Sequence, residues 1–448
     1  RRGRGHDDPA KAEFPDRPLQ SSKISASCRM HILIFTFGTR GDVQPYVALG
    51  AALRARGHEV TLSTGLGFET MIEAHGLSAA PVSIDFRDLL QMPEIQDALR
   101  TFSGKIRAWR SFRGMFRRQF DEMWEIARQA RPDMLVAHPK GFTAHDIAEA
   151  LQVVSVPTTL QPAFVPTGAF PQFMVPVANL GRTGNRLSHQ ACARLSAWGQ
   201  GKATGDWRQS ALGLGPARRR AFMAGYHPGG RSVPHLHGYS GEIIPKPDDW
   251  GEDEHITGYW YLDQQTGWQP PDDLQHFLRE GPPPVYVGFG SMPAKDAERT
   301  TRSVVEALRL SGRRGVLASG WGGLASAGNS ESVHALEGVP HDWLFPRCAA
   351  IVHHGGAGTT HEALRWGRPS VICPFGVDQP FWGRQVNRLG AGPKPIAQKR
   401  LTGERLAGAI VQALDPAVAA RAAEIGAAMR REGGADAAAA IVEAAASV

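Results

Sequence analysis

The chain has no apolar run approaching the roughly 18–20 residues that a membrane-spanning helix needs. That argues against an integral membrane protein. Cysteine is scarce: Cys28, Cys192, Cys348 and Cys373 are far apart and form no C-x-x-C pair. A disulfide scaffold or structural zinc site is not expected, and the pattern fits a reducing cytoplasm. A large charge excess is also missing, with 50 basic against 43 acidic residues and a formal charge of +7. This mildly basic balance permits an anionic ligand or an anionic membrane surface and makes no case for nucleic acid. No internal repeat is evident, and no carboxylate cluster resembles a metal site. With 42% apolar and 21% charged residues, the 448-residue chain reads as a globular protein of two or more domains.

Residues 1–29 lack initiator Met and the apolar centre of a signal peptide. They read as a disordered extension or a misplaced translation start, and their acids (Asp7, Asp8, Glu13, Asp16) oppose a transit peptide. Folded structure is expected from Met30. Residues 31–37 read as a buried strand, followed by the turn Gly38-Thr-Arg-Gly41, a helix over Val43–Arg56 and a strand at Glu59–Ser63. That is a βαβ unit. Further strands are expected at Met134–Ala137 and Thr158–Leu160, around a helix at Thr143–Ala150. Residues 161–190, rich in Pro and Phe, read as a long loop, either serving a site or packed as an irregular insertion. The pattern strand, glycine turn, helix restarts at Pro284. The expected domains are therefore 30–235, a connection over 236–283, a second domain over 284–415, and a helical tail over 416–448. The fold class is α/β, with two doubly wound, Rossmann-like domains.

Three segments carry chemistry. In Ile351-Val-His-His-Gly-Gly-Ala-Gly-Thr-Thr-His-Glu362 a strand enters a glycine turn and a helix is expected from Thr359. Glycines let backbone approach a phosphate, and free N–H groups and the helix dipole attract it. Thr359 and Thr360 offer hydroxyls, His354 a donor, and Glu362 a partner for ribose. In Pro374-Phe-Gly-Val-Asp378-Gln379-Pro380 a carboxylate and an amide at a strand end could clamp sugar hydroxyls. Residues 105–131 hold Trp109, Phe112, Phe116, Phe120 and Trp124 at helical spacing, with arginines largely off that face. Such a helix either lies on a membrane surface or packs its rings in the core.

Pro340-His341, His354-x-Gly356-x-x-Thr359-x-x-Glu362 and Asp378-Gln379 together resemble the donor signature of family 1 glycosyltransferases of the two-domain GT-B fold. Gly38-Thr-Arg-Gly-Asp-Val-Gln-Pro45 and Asp378-Gln-Pro-Phe-Trp382 resemble the sterol glucosyltransferase branch and its bacterial, antibiotic-glycosylating relatives. The resemblance implies two domains facing across a cleft. It implies that His354, Gly356, Gly358, Thr359 and Ser291 meet the donor phosphates, that Glu362 meets ribose, and that Asp378 and Gln379 hold the sugar. Val339 and His341 fall in the stretch beside the base, and Trp321 either stacks on the base or is a packing residue.

The resemblance further implies an inverting, metal-independent hexosyltransferase with no cofactor beyond a nucleotide diphosphate sugar, UDP-glucose being the expected donor. The first turn holds no His, so Asp42 is the expected base, with His138 second and helix capping the alternative role for Asp42. Phe164, Phe170 and Phe173, with Phe112, Phe116 and Phe120, are the expected contacts to a lipophilic acceptor or membrane. The expected location is the cytoplasm, with the inner membrane face as its working surface. A natural-product glycosyltransferase using a dTDP-sugar, a non-catalytic GT-B protein and a sugar-nucleotide epimerase are the rival readings.

Overall fold

The computed structural model describes residues 29–92, 113–175, 177–216, 224–263, 268–290, 297–319, 324 and 328–446. Residues 1–28, Trp109, Phe112, Ser291 and Trp321, to which the sequence analysis gives roles, lie outside the described residues.

Two sheets organise the chain, and every strand in both is parallel. The first contains β1 (His31–Phe35), β2 (Glu59–Ser63), β3 (Ser78–Ala79), β4 (Met134–Ala137), β5 (Val154–Thr159), β6 (His235–His237) and β7 (Glu254–Ile256), in the order β3-β2-β1-β4-β5-β6-β7. The second contains β8 (Val285–Gly288), β9 (Gly315–Ala318), β10 (Val333–Leu336), β11 (Ala350–His353) and β12 (Ser370–Ile372), in the order β10-β9-β8-β11-β12. Parallel strands are covered on both faces and so read as continuous apolar runs. Ile32, Leu33, Ile34 and Phe35 of β1 are all fully buried.

In each sheet the strand order reverses once. The reversals fall between β1 and β4, paired through Phe35 and Ala137, and between β8 and β11, paired through Gly288 and His353. At such a switch point the loops leave the carboxyl ends of the strands in opposite directions, opening a crevice for a ligand.

Three segments depart from the sequence expectation. The stretch read as a connection contains β6 and β7, which extend the first sheet. The loop read over 161–190 ends at the long helix Gly181–Leu212. Its glycines at 181, 184, 199, 201 and 205 lower intrinsic helix preference and hid it. The C-terminal segment divides. Helix Pro416–Met429 packs with the second domain through Ala422, Ile425 and Met429. Helix Gly434–Ala446 returns to the first, where Ala438, Ala439 and Val442 join the core of β1, β2 and helix Arg40–Ala55.

Of the two readings of the aromatic helix, membrane surface or core, the packing favours the core. The helix is described over Arg113–Ala130. Phe120 is only 3% exposed and meets Trp207 edge-on at 5.7 Å. Phe116 sets its ring against Phe142 at 6.2 Å. These rings cover the first sheet, so the apolar face of this helix is core.

Candidate functional site

The two switch points supply two half-sites. In the first, β1 ends in Gly38-Thr39 and helix Arg40–Ala55 begins. Asp42 stands at the third helical position, and its Oδ2 accepts from the Thr39 amide at 2.8 Å. This is half of a capping box, so the helix-capping role is real. The same carboxylate also faces the loop after β4. Lys140 Nζ lies 2.8 Å from Oδ2, and His138 Nε2 lies 3.8 Å from Oδ1. Gly38, at φ +138°, makes this possible, because a Cβ there would overlap both Asp42 Oδ2 and Lys140 Nζ.

Burial pushes the Asp42 pKa up. The Lys140 ammonium, His138 and the Thr39 amide outweigh it, and the carboxyl is held below its ordinary value. Burial, only partly opposed by Asp42, takes His138 down to about 3, so its ring is neutral. The Lys140 amide donates to His138 Nδ1 at 3.3 Å. The ring proton is thereby assigned to Nε2, toward Asp42. His138 has no free lone pair with which to take a proton. Of the two candidate bases, the geometry therefore favours Asp42.

In the second half-site, β11 ends at His353, His354 follows, and helix Ala357–Arg365 begins after the glycine turn. The helix starts two residues before the expected Thr359. The Gly358 and Thr359 amides therefore belong to its first turn, where no intrahelical acceptor exists. Gly356 leaves room for His354: a Cβ would stand 2.5 Å from His354 Nε2. His354 Nδ1 is buried with no partner, and burial lowers the ring to about 4. Thr360 does not serve this site. It is fully buried, and its hydroxyl donates to the Gly356 carbonyl at 2.9 Å.

Glu362 accepts from Trp366 Nε1 at 2.7 Å and lies 3.7 Å from Arg365. Burial pushes its pKa up to about 7 against the pull of Arg365. His341 stacks on Phe345 at 4.3 Å, and burial holds it neutral at about 3. Val339 packs beside the same cluster.

Asp378 and Gln379 follow β12. Val377 presents them at φ +58°, a strained conformation for a β-branched residue. Trp382 Nε1 donates to Asp378 Oδ2 at 2.8 Å. Gln379 Oε1 is committed to the amides of Phe375 (2.7 Å) and Gly376 (3.2 Å). The Gln379 side chain can therefore only donate to a sugar hydroxyl, where both accepting and donating were expected.

The half-sites face each other. Burial raises the Asp378 pKa, Asp42 adds to the rise, and Lys140 opposes it. Arg40, in the first helical turn of one domain, interacts with Asp342 and His341 of the other. Tyr259 senses both Asp42 and Glu362, stacks on His361 at 4.5 Å and brings its hydroxyl against Gly358. Sequence reasoning assigned no role to Lys140, Arg40 or Tyr259. Only Arg40, inside the quoted Gly38–Pro45 segment, carried a signal.

Phe170 and Phe173 do not form an open acceptor wall. They pack in a cluster with Tyr239, Ile243 and Trp250, and Phe170 meets Phe381 of helix Gln379–Arg388 at 6.0 Å. Phe164 is half-buried beside them in the same loop.

Comparison with known proteins agrees with this geometry. Residues 32–167 match the glycosyltransferase family 28 N-terminal domain, and residues 327–444 match the erythromycin biosynthesis protein CIII-like C-terminal domain. Two sterol 3-beta-glucosyltransferases of Arabidopsis thaliana are 35% and 33% identical, over 90% and 91% of this chain. The chain spans 64% and 66% of their lengths. A sterol 3-beta-glucosyltransferase of Cryptococcus neoformans is 33% identical over 90% of this chain and 26% of its own length. Among solved structures, the kitacinnamycin glycosyltransferase superimposes with TM-score 0.69 at 20% identity, covering 94% of this chain and 100% of its own. The calicheamicin glycosyltransferase gives 0.68 at 20% identity, covering 93% and 98%. A glycosyltransferase complexed with dTDP gives 0.63 at 19% identity, covering 93% and 99%. These structural likenesses establish the fold.

Proposed function

We propose that this chain, which carries the GT-B fold, is a glycosyltransferase that moves a hexose from a UDP-sugar to a sterol-type hydroxyl, inverting the anomeric centre. The observation that carries this reading is the pair of half-sites at the two switch points, one with Asp42 against Lys140 at 2.8 Å, the other with the buried, unpartnered His354 Nδ1 beside a helix N-terminus. Asp378 and Gln379 hold the sugar hydroxyls. The first-turn amides of helix Ala357–Arg365 and the neutral His354 receive the diphosphate, and Glu362 binds ribose. Asp42 takes the acceptor proton as the new bond forms. Charge developing on the departing diphosphate is met by fixed N–H groups.

Asp42 must lose its ion pair before it can act as a base. Lys140 is 47% exposed at its side chain and is free to swing away. Departure of the cation raises the Asp42 pKa at the moment that the acceptor hydroxyl arrives. The names of the sterol 3-beta-glucosyltransferase relatives support the acceptor class. A solved neighbour named as the calicheamicin glycosyltransferase and another in complex with dTDP support the second reading, a dTDP-sugar transferred to a polyketide-like acceptor. Release of nucleotide diphosphate from UDP- and dTDP-sugars, with and without sterol or a hydroxylated polyketide, tests both. Sterol-dependent UDP release is expected. Release only with dTDP-sugar and polyketide overturns the sterol assignment.

Membrane contact, in this reading, uses a different surface from helix Arg113–Ala130. Residues 150–205 contain no Asp or Glu but hold Arg182, Arg186, Arg194 and Lys202. Met174, Val177, Leu180, Leu187 and Leu195 are each 39–65% exposed there. Leu187, Ala191 and Leu195 step by four along helix Gly181–Leu212. Exposed apolar side chains among cations of one sign suit an anionic lipid surface. Leu187→Ser with Leu195→Ser should lower sedimentation with phosphatidylserine vesicles at unchanged Tm. Unchanged sedimentation removes this face from the proposal. Among the described residues no helix is long and apolar enough to cross a membrane. The cytoplasmic assignment remains part of the proposal, supported by the unpaired Cys192, Cys348 and Cys373.

A further inference from the structure

Away from the cleft, neighbouring strands β6 and β7 bring together two histidines and a carboxylate. His235 and His237 alternate along β6 and so share one face of the sheet. Glu254 is the register partner of His235 on β7. The two imidazoles stack with centroids 4.5 Å apart, and Trp250 stacks on the far side of His237 at 4.5 Å. His235 is 5% exposed and His237 is fully buried. His235 Nδ1 lies 3.2 Å, and His237 Nε2 2.7 Å, from the same Glu254 Oε2.

We propose that His235, His237 and Glu254 bind a borderline divalent cation of the zinc class, as a structural site separate from the sugar-transfer cleft. The donor set is that of a two-histidine, one-carboxylate site. Tetrahedral zinc, bonded at about 2.0–2.1 Å, separates its ligand atoms by about 3.3 Å. The His235–Glu254 separation already matches, and the His237–Glu254 pair must open by about half an ångström. One ligand atom from each of the three residues lies within 4.8 Å of the others. The outer nitrogens, His235 Nε2 and His237 Nδ1, are buried without partners. The Glu254 side chain is 17% exposed, and that edge leaves a path for the ion and a water ligand.

The site's place in the chain suggests what the ion does. Three residues after His237, the Ser240 amide donates to His361 Nε2 at 3.1 Å, on helix Ala357–Arg365. A cation at His237 braces the strand that ties the first sheet to the helix of the second half-site.

The test uses the full chain, free of affinity tag and stripped with chelator. Titration with Zn2+ should raise Tm by a few degrees and saturate at one equivalent. Co2+ should give the visible bands of a four- or five-coordinate ion, also at one equivalent. Glu254→Gln should lose the bands while keeping the wild-type circular dichroism spectrum. If Glu254→Gln does not fold, His235→Phe keeps the stacked ring, removes one ligand nitrogen, and should lose the bands likewise. Absence of stoichiometric binding by the stripped wild type, or binding unchanged in the variant that folds, overturns the proposal and leaves a hydrogen-bonded triad.

Discussion

The Asp42 carboxylate and the Lys140 ammonium form a 2.8 Å ion pair joining the loop ends of β1 and β4. The pair holds Asp42 ionised and, in the proposed reaction, makes Lys140 a gate on its basicity. Lys140→Met removes the largest cationic influence that lowers the Asp42 pKa. A carboxyl whose pKa rises is still protonated at higher pH. The acid limb of the kcat/KM profile should therefore move to higher pH in Lys140→Met. An unmoved limb would separate Lys140 from the base.

Asp42→Asn keeps the shape of the cap and removes the proposed base. Turnover should fall by about 10²–10⁴, while donor affinity, read by calorimetry with UDP, stays close to wild type. Turnover at the wild-type rate would remove Asp42 from the reaction. His138→Gln should be milder, because His138 offers no free lone pair.

Glu362 titrates at about 7 in the folded protein, against about 4.3 in an unfolded chain. Between these values the folded state binds more protons than the unfolded one, so stability falls as pH rises. The contribution is whole below the unfolded pKa and lost as pH passes 7. Glu362→Gln should therefore gain in Tm over wild type from pH 5 to pH 8. An equal difference at both pH values would contradict the raised pKa. Donor binding, proposed to use the ionised carboxylate, should tighten through the same window in wild type and not in Glu362→Gln.

Phe120 lies in the core with Trp207. Phe120→Ala should cost about 3–5 kcal/mol of stability, measured by urea unfolding. Loss of vesicle binding at full stability would return this helix to the membrane surface.

Gly356→Ala should displace His354, because the new Cβ has 2.5 Å to its Nε2. The expected result is weaker UDP binding with little change in Tm, since the turn itself has ordinary backbone geometry (φ −63°).

Much of the architecture was legible in the sequence because its signals are local. The apolar run ending at Gly38, the glycine turn after His354 and the helix signals that follow each lie within one βα unit. Buried parallel strands need no partner to be read as such. Asp42, His354, Glu362, Asp378 and Gln379 stood out because they lie in the turns and helices that follow strands, where such sheets bind ligands.

What tertiary structure decided is which polar atoms remain available and which apolar faces are covered. Thr360 and the Gln379 carbonyl oxygen lost their expected roles to backbone groups that no sequence pattern marks. The aromatic stripe at Phe116 and Phe120 went to the core because a sheet lay beneath it, while Met174, Leu180, Leu187 and Leu195 were left on the surface. Lys140 joined Asp42, and His235 met Glu254, only when strands distant in sequence became neighbours. Hydrophobic periodicity specifies local elements along the chain. Burial, hydrogen-bond commitment and charge pairing depend on contacts between distant residues, and those exist only once the chain has folded.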